Sequence, residues 1–222
     1  MLLRALEVGG VAENCYIIGD EATRQCLIID PGAEAKRIVA AVEETGVTPL
    51  RIINTHGHPD HVGVVVPVQN RFKLKFFMHE ADVFLLPHLP SFAEYMGESD
   101  VIIPTVDEFL RDGDVITCGT LALRVTHTPG HTPGGVCFII ESEKTVIVGD
   151  TLFAGSVGRT DLPGGSHAEL LNSIHQKLMI LPDDYAVYPG HGPKTTIGRE
   201  RKTNPFLIHP HPSPLPSRER GA

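Results

Sequence analysis

The segment Thr55–His61 (THGHPDH) places four side chains that can bind a metal ion within six residues. It directly follows an apolar run that predicts a strand and directly precedes a predicted helix. His56 and His58 lie two positions apart on an extended loop. Their imidazole rings therefore point the same way, as two ligands of one ion must, with a permissive glycine between them. Asp60 and His61 begin the following helix, where they can face a second ion beside the first.

Three further candidate ligands stand in similar surroundings later in the chain. His131 lies in TPGHTPG, a loop fixed by proline and glycine shortly after a predicted strand. Asp150 in GDT and His191 in PGHG directly follow predicted strands. Together with the first motif, these three residues can close two metal sites.

The order HxHxDH, PGHTPG, GD and PGHG resembles the metallo-β-lactamase superfamily, and the resemblance covers nearly all of the chain up to Leu207. It implies a four-layer αββα sandwich with the metals at one edge of two sheets. It also implies two sets of ligands and one shared residue. The first ion is bound by His56, His58 and His131, the second by Asp60, His61 and His191, and Asp150 bridges the two.

Two shorter segments resemble the short bacterial hydroxyacylglutathione hydrolases, the glyoxalase II-like proteins that lack a helical C-terminal domain. They are Val157–Asp161 (VGRTD) and Asn204–Leu207 (NPFL). The resemblance implies hydrolysis of a thioester such as S-lactoylglutathione, with Arg159 at a basic position that binds glutathione in the longer enzymes. Two positions depart from that pattern: Asp161 stands where an aromatic residue is expected, and Pro193 stands where a tyrosine is expected.

The ligand types indicate the chemistry. Nitrogen and oxygen ligands without thiolate suit zinc, while iron and manganese also accept them. Two zinc ions would lower the pKa of a shared water toward neutrality, and the resulting metal-bound hydroxide would attack the acyl carbon. Asp60 is placed to bind metal, to orient this nucleophile or to shuttle a proton, and it is our candidate catalytic residue.

Other functions on the same frame remain open. Persulfide dioxygenases hold one iron through residues that match His56, His131 and Asp150, and they share the GRTD stretch. A lactonase or another ester hydrolase is a further alternative, as is a metal-binding scaffold without enzymatic activity.

Short apolar runs predict many small strands and helices. The third apolar run is followed by a turn, then by a segment with helical spacing, and then by another apolar run. This order predicts a β-α-β step, which requires part of the sheet to be parallel. The predicted strands are Leu2–Val8, Cys15–Ile18, Cys26–Ile29, Leu50–Asn54, Lys75–Met78, Leu121–Thr126, Val136–Glu141, Thr145–Val148 and Ala186–Tyr188. The predicted helices are Glu34–Thr45, Val62–Phe72, Glu80–Leu86, His167–Leu178 and Ile197–Thr203.

These elements predict an α/β (α+β) fold of two mixed sheets with outer helices. Residues 87–106 are rich in proline and predict an irregular flap. We expect one hydrolase domain over residues 1–207, followed by a disordered proline-rich tail over residues 208–222.

Composition narrows the partners. The 222 residues are 41% hydrophobic and 21% charged, and their net charge of −8 disfavours a nucleic-acid partner. The sequence shows no membrane span and no signal peptide, which predicts a cytoplasmic protein. The four cysteines are expected to be buried free thiols rather than disulfides. The expected partner is a small thioester, a glutathione conjugate, bound by a monomer or small homo-oligomer.

Overall fold

The computed structural model describes residues 1–95 and 101–208. The first half of the chain forms a six-stranded sheet in which the strands lie side by side in chain order. β1 to β3 are antiparallel, and β3 to β6 are parallel, as the predicted β-α-β step requires. The strands are β1 (Leu2–Val8), β2 (Glu13–Asp20), β3 (Gln25–Ile29), β4 (Thr48–Ile53), β5 (Lys75–His79) and β6 (Glu108–Leu110).

Helices cover the outer face of this sheet. They are α1 (Ala35–Thr45), α2 (Pro59–Val62), α3 (Val65–Phe72), a 3-10 helix (Glu80–His88) and α4 (Leu89–Tyr95). α1 buries Ile38, Ala41 and Val42, whose spacing of three and four residues defines one helical face. The helix ends at Gly46, where a φ of 64° favours glycine.

The second half forms another mixed sheet, with the strand order β14-β13-β10-β9-β8-β7. Its strands are β7 (Val115–Cys118), β8 (Leu121–His127), β9 (Val136–Ile140), β10 (Thr145–Gly149), β13 (Ala186–Pro189) and β14 (Thr195–Thr196). A small hairpin of β11 (Leu152–Phe153) and β12 (Ser156–Val157) stands apart from it. The helices are α5 (His167–Ser173), which continues into a π-helical turn (Ile174–Leu178), α6 (Ile197–Thr203) and α7 (Pro205–Ile208).

Three apolar clusters separate four layers, and the predicted αββα sandwich is confirmed. Successive residues of β2 point to opposite faces. Cys15 and Ile17 pack under the first set of helices, whereas Tyr16 and Ile18 pack between the two sheets. The third cluster lies between the second sheet and the helices α5 and α6. Both sheets are therefore covered on their two faces.

One helix prediction and the prediction of an irregular flap are corrected. The helix expected over Val62–Phe72 is interrupted, since α2 ends at Val62 and α3 begins at Val65. Pro67 is the third residue of α3, where a helix needs no backbone N–H donor. Of the predicted flap over 87–106, the part before residue 96 is helical, and Leu89 of α4 belongs to the core. Pro90 is tolerated there because it lies in the first turn of the helix.

The remaining outcomes are simpler. All four cysteines are free and buried, as expected, and burial raises the pKa of the Cys137 thiol to about 11. Within residues 1–95 and 101–208, no helix has the length and apolar character needed to cross a membrane. The predicted tail lies outside the described residues beyond Ile208.

Candidate metal centre

The strand directions bring the candidate ligands to one edge of the sandwich. β8, β9 and β10 alternate in direction, and β10 is parallel to β13, so β8, β10 and β13 end at the same edge. The loops after these strands carry His131, Asp150 and His191. A hydrogen bond from the Val136 N–H to the Thr55 carbonyl (2.8 Å) joins this edge to the loop after β4.

The first group of ligands is made of three imidazoles. One nitrogen from each of His56, His58 and His131 lies within 4.8 Å of the other two. Nδ1 of His58 faces Nε2 of His131 at 2.9 Å. All three residues are buried, with residue exposures of 2%, 8% and 5%. We call this set the imidazole group.

The second group mixes a carboxylate with two imidazoles. Ligand atoms of Asp60, His61 and His191 also lie within 4.8 Å of one another. Oδ2 of Asp60 is 3.3 Å from Nε2 of His191 and 3.9 Å from Nε2 of His61. His61 is fully buried, whereas the side chains of Asp60 and His191 are 21% and 25% exposed. We call this set the carboxylate group.

Asp150 lies between the two groups. Its Oδ1 is 3.5 Å from Nε2 of His61, and its Oδ2 is 3.6 Å from Nε2 of His131 and 3.7 Å from Nε2 of His191. One carboxylate therefore contacts both sets. All seven residues that the sequence nominated as ligands are in this one place.

Oxygen atoms behind the rings fix how four of the imidazoles are oriented. Such a contact at one ring nitrogen leaves the other free to bind a metal. In each ring Nδ1 contacts the oxygen: His56 contacts Thr55 Oγ1 (3.1 Å), His61 contacts Asp30 Oδ2 (3.0 Å), His131 contacts the Arg159 carbonyl (2.8 Å) and His191 contacts the Val11 carbonyl (3.1 Å).

The opposite atoms of several of these groups are left without partners. Within the described ranges, Nε2 of His56, Nε2 of His61 and Oδ1 of Asp150 are buried and make no hydrogen bond. Orphaned buried polar atoms are costly and require an explanation. Nitrogen and oxygen donors aimed at a common space, with oxygen partners behind the rings, fit a divalent metal ion.

Burial keeps two members of the imidazole group neutral. It lowers the pKa of His56 well below the usual value, and the neighbouring imidazoles of His61 and His131 add to the effect. Burial, followed by the proximity of His131, lowers the pKa of His58 to about 3. Neutral imidazoles are the form that binds metal.

The carboxylate group behaves in the opposite way. Burial opposes a charge on His61, but the carboxylates of Asp150 and Asp60 outweigh it and raise the pKa of His61 well above its usual value. Burial likewise opposes charge on His191, yet its hydrogen bond with Asp60 raises its pKa. For Asp60, burial is opposed by His61 and His191, which lower its pKa. The carboxylates thus favour a positive charge here, either a proton or a metal ion.

Asp30 is a residue of the candidate centre that the sequence analysis missed. It directly follows β3, and its Oδ1 and Oδ2 accept hydrogen bonds from the N–H and hydroxyl of Thr55 (2.7 and 2.6 Å). Oδ2 also contacts Nδ1 of His61. Its φ of 52° is unusual for a non-glycine residue. The signal was a carboxylate directly after a buried strand, but the sequence Asp30-Pro31-Gly32 is also typical of a turn.

Asp82, in the 3-10 helix, is a second missed residue. Its buried carboxylate accepts hydrogen bonds from the Gly57 N–H (2.9 Å), the Thr132 hydroxyl (2.7 Å) and the Gly134 N–H (2.5 Å). It therefore ties the loop of the first motif to the loop of His131. A Cβ on Gly57 would lie 2.9 Å from the Asp82 carbonyl oxygen, so this glycine is needed for space rather than, as expected, for backbone freedom.

Glu13 is the third missed residue. Its exposure is 1%, neither carboxyl oxygen has a hydrogen-bond partner in the described part of the chain, and Oε1 is 3.7 Å from Nδ1 of His61. Burial raises the pKa of Glu13 well above its usual value, although His61 opposes the shift. This carboxyl adds a polar group behind the carboxylate group.

An open cleft of about 510 Å³ lies above the ligands. Its walls are largely apolar, and they include Val11, Phe92, Phe153, Val157 and Leu162. The cleft reaches ligand residues of both groups, and Arg159 lies at its rim. A substrate in this cleft therefore meets the candidate metal centre directly.

Arg159 makes two contacts that the sequence did not predict. Its carbonyl orients His131, while its side chain forms a bidentate ion pair with Asp161 (2.7 and 2.8 Å). The two side chains are 61% and 69% exposed. Arg159 thus lines the cleft, but its guanidinium already has a carboxylate partner.

The C-terminal NPFL segment supports the wall of the cleft. The Asn204 side chain donates to the Ser156 carbonyl (3.0 Å), and the buried Glu200 accepts from the Gly155 N–H (2.8 Å). Asn204 also donates to Glu200 (2.9 Å). These bonds hold the β11–β12 hairpin, which leads into the Arg159 loop.

Known proteins are similar to this chain along almost its whole length. The family model of the metallo-beta-lactamase superfamily matches residues 8–191. The hydroxyacylglutathione hydrolase GloC of Haemophilus influenzae is 37% identical over 214 residues, which are 93% of this chain and 98% of that protein.

Two solved structures are also similar to the chain. The BLEG-1 B3 metallo-beta-lactamase has a TM-score of 0.86 at 36% identity, over 94% of this chain and 100% of that one. TTHA1623 in a di-iron-bound form has a TM-score of 0.83 at 38% identity, over 92% and 100%. The chain belongs to the metallo-beta-lactamase superfamily and is a metallo-hydrolase of that superfamily.

Proposed function

We propose that residues 1–207 form a hydrolase of thioesters of the hydroxyacyl-glutathione type, such as S-lactoylglutathione. The observation that carries the proposal is the pair of adjoining ligand groups that share Asp150 at the base of an open cleft. The similarity to GloC along 93% of the chain supports the choice of substrate.

The seven nominated residues are the proposed ligands. His56, His58 and His131 would hold one ion, Asp60, His61 and His191 would hold the other, and Asp150 would serve both. The donor set suits two zinc ions, while iron or manganese are alternatives, and TTHA1623 is similar in a di-iron form. When bound, such ions polarise the acyl oxygen and lower the pKa of water.

Asp60 is the proposed catalytic residue of the chain. It lines the cleft, and its lowered pKa keeps it ionised at neutral pH. An ionised carboxylate accepts a hydrogen bond from water and so orients the oxygen toward the acyl carbon. A carboxylate of low pKa is a weak base, so its main contribution is orientation. The sulfur leaves as a thiolate and needs no proton donor.

Arg159 is the proposed substrate-binding residue. A guanidinium binds a carboxylate with two parallel hydrogen bonds, and glutathione carries two carboxylates. Among the described residues that line the cleft, Arg159 is the one lysine or arginine. The apolar walls would pack against the remaining parts of the substrate.

The decisive experiment is hydrolysis of S-D-lactoylglutathione by purified protein before and after chelation, with metal content measured on the same sample. The proposal expects chelator-sensitive turnover with about two ions per chain. Absent turnover with one iron per chain, together with oxygen consumption on glutathione persulfide, would replace it by persulfide oxidation. Absent turnover with two ions would overturn the choice of substrate.

A β-lactam is a second candidate substrate. The observation that favours it is the similarity to BLEG-1, a B3 metallo-beta-lactamase, along 94% of the chain. The same ligand groups would act on the carbonyl of a strained amide. Turnover of a chromogenic cephalosporin at a kcat/KM above that of S-D-lactoylglutathione would favour this candidate.

A further inference from the structure

The cleft offers an anionic substrate little positive charge. Five of the proposed ligands line it, and the other described residues of its lining are apolar except Ser156 and Arg159, so Arg159 is the one lysine or arginine among them. A carboxylate on the substrate that lies away from the reacting carbon therefore depends on this guanidinium.

Asp161 occupies one edge of the guanidinium at which a carboxylate can form two parallel hydrogen bonds. Its Oδ1 accepts from Nε and its Oδ2 accepts from Nη2, which is the parallel two-bond arrangement of arginine with a carboxylate. A second carboxylate must either displace Asp161 or bind at the remaining N–H groups. In both cases Asp161 adds a negative charge beside the incoming one.

The ion pair can open without disturbing the metal centre. Both side chains are more than half exposed, and an exposed ion pair is weak. The main chain at Arg159 is held separately, because its carbonyl accepts the hydrogen bond from Nδ1 of His131. Competition for Arg159 is thus confined to side chains.

Resting on the proposed function, we propose that Asp161 is a specificity-determining residue that competes with substrate carboxylates for Arg159. Asp161 consequently weakens the binding of thioesters of an anionic thiol such as glutathione and leaves the binding of thioesters of an uncharged thiol unchanged. Asp161 acts through Arg159 and takes no part in the chemical step.

The test compares two lactoyl thioesters, one of glutathione and one of the uncharged thiol N-acetylcysteamine. In Asp161→Asn we expect KM for S-D-lactoylglutathione to fall roughly three- to five-fold, the range of an exposed ion pair, with kcat unchanged. KM for the uncharged thioester should not change. In Arg159→Ala/Asp161→Asn the gain should disappear.

Asp184→Asn is the matched control. Asp184 is an exposed carboxylate paired with Lys144 next to the start of β10, whereas the metal centre follows the end of that strand. Asp184→Asn changes the net charge by the same amount as Asp161→Asn. An equal fall of KM for S-D-lactoylglutathione in Asp184→Asn would therefore overturn the proposal. An equal fall for both thioesters in Asp161→Asn would overturn it too.

Binding of S-hexylglutathione, measured by calorimetry on the metal-loaded protein, separates this inference from the proposed function. If neither thioester is hydrolysed by the wild-type protein, the proposed function fails. Three- to five-fold tighter binding of S-hexylglutathione to Asp161→Asn would still support competition at Arg159, and unchanged binding would overturn it.

Discussion

The two ligand groups of this protein lie side by side but differ in charge and burial. The imidazole group is buried, and burial keeps His56 and His58 neutral. In the carboxylate group Asp60 is partly exposed, and the carboxylates of Asp60 and Asp150 raise the pKa of His61 and His191. A metal ion therefore meets neutral rings at His56 and His58, whereas at His61 and His191 it must compete more strongly with protons.

This difference separates the tasks of the two groups. The buried imidazole group is suited to bind one ion, and Asp82 fixes the two loops that carry its ligands. The second set faces the cleft through Asp60 and His191. We therefore expect the imidazole group to fill first and the carboxylate group to control activity.

The largest effect is expected from His58→Ala. The variant removes one of three ligands of the imidazole group, so it should lose the ion of that group and about three or more orders of magnitude of activity. Metal analysis and thioester turnover on the same sample measure both losses. His88→Ala, at an exposed histidine outside the centre, is the control. Full metal content in His58→Ala would remove His58 from the ligand set.

Asp60→Asn should leave the fold and the imidazole group intact. It replaces an ionised acceptor that orients water, so we expect turnover to fall about 100- to 1,000-fold. Thermal unfolding and the ion of the imidazole group should stay close to those of the wild-type protein, whereas the ion of the carboxylate group should bind more weakly, so turnover is compared at saturating metal. Full activity in this variant would remove Asp60 from the catalytic role.

Asp82→Asn should weaken the imidazole group without removing a ligand. An amide cannot accept all three hydrogen bonds that the carboxylate accepts, so the two loops would be held less firmly. We expect a 10- to 100-fold loss of metal affinity, with turnover largely restored by excess metal.

Asp114→Asn is the matched control for this variant. The Asp114 carboxylate also accepts a backbone N–H, from Arg111, but at a turn away from the ligands. Equal metal affinity in Asp82→Asn, Asp114→Asn and the wild-type protein would contradict the role of Asp82.

The smallest effect concerns pH. Because the folded-state pKa values of His61 and His191 are raised, these residues keep their protons to a higher pH than ordinary histidines, and an ion must displace those protons. Affinity of the carboxylate group should therefore rise about tenfold per pH unit for each proton released, up to the raised pKa values. Calorimetry in buffers of different ionisation enthalpy counts the protons. Release on the first rather than the second ion would reverse the assignment of the two groups.

The sequence located the candidate ligands better than the residues that orient them. His56, His131 and Asp150 were recognisable because ligand-type residues followed apolar strands, a position that suits binding more than packing. Asp30 was missed since it stands in a normal turn sequence, and Asp82 since an acidic residue in the first turn of a helix is ordinary. Their roles depend on contacts over 25 or more positions along the chain.

The same reasoning explains the elements that were missed. The layers were predictable because apolar runs alternate with helical spacing. α4 was not, because prolines near its start suggested an irregular segment. β6, β11 and β12 have only two or three residues each, too few to show a period. Long-range pairing rather than local preference defines such short strands.

The most direct test of the difference between the imidazole group and the carboxylate group is a zinc titration of chelator-treated protein at neutral pH. Calorimetry and turnover of S-D-lactoylglutathione are followed in parallel. The account predicts two ions per chain in two separate steps. The first binds without proton release and gives little turnover, and the second releases protons and restores turnover. Full activity after a single ion per chain, with no second binding step, would contradict it.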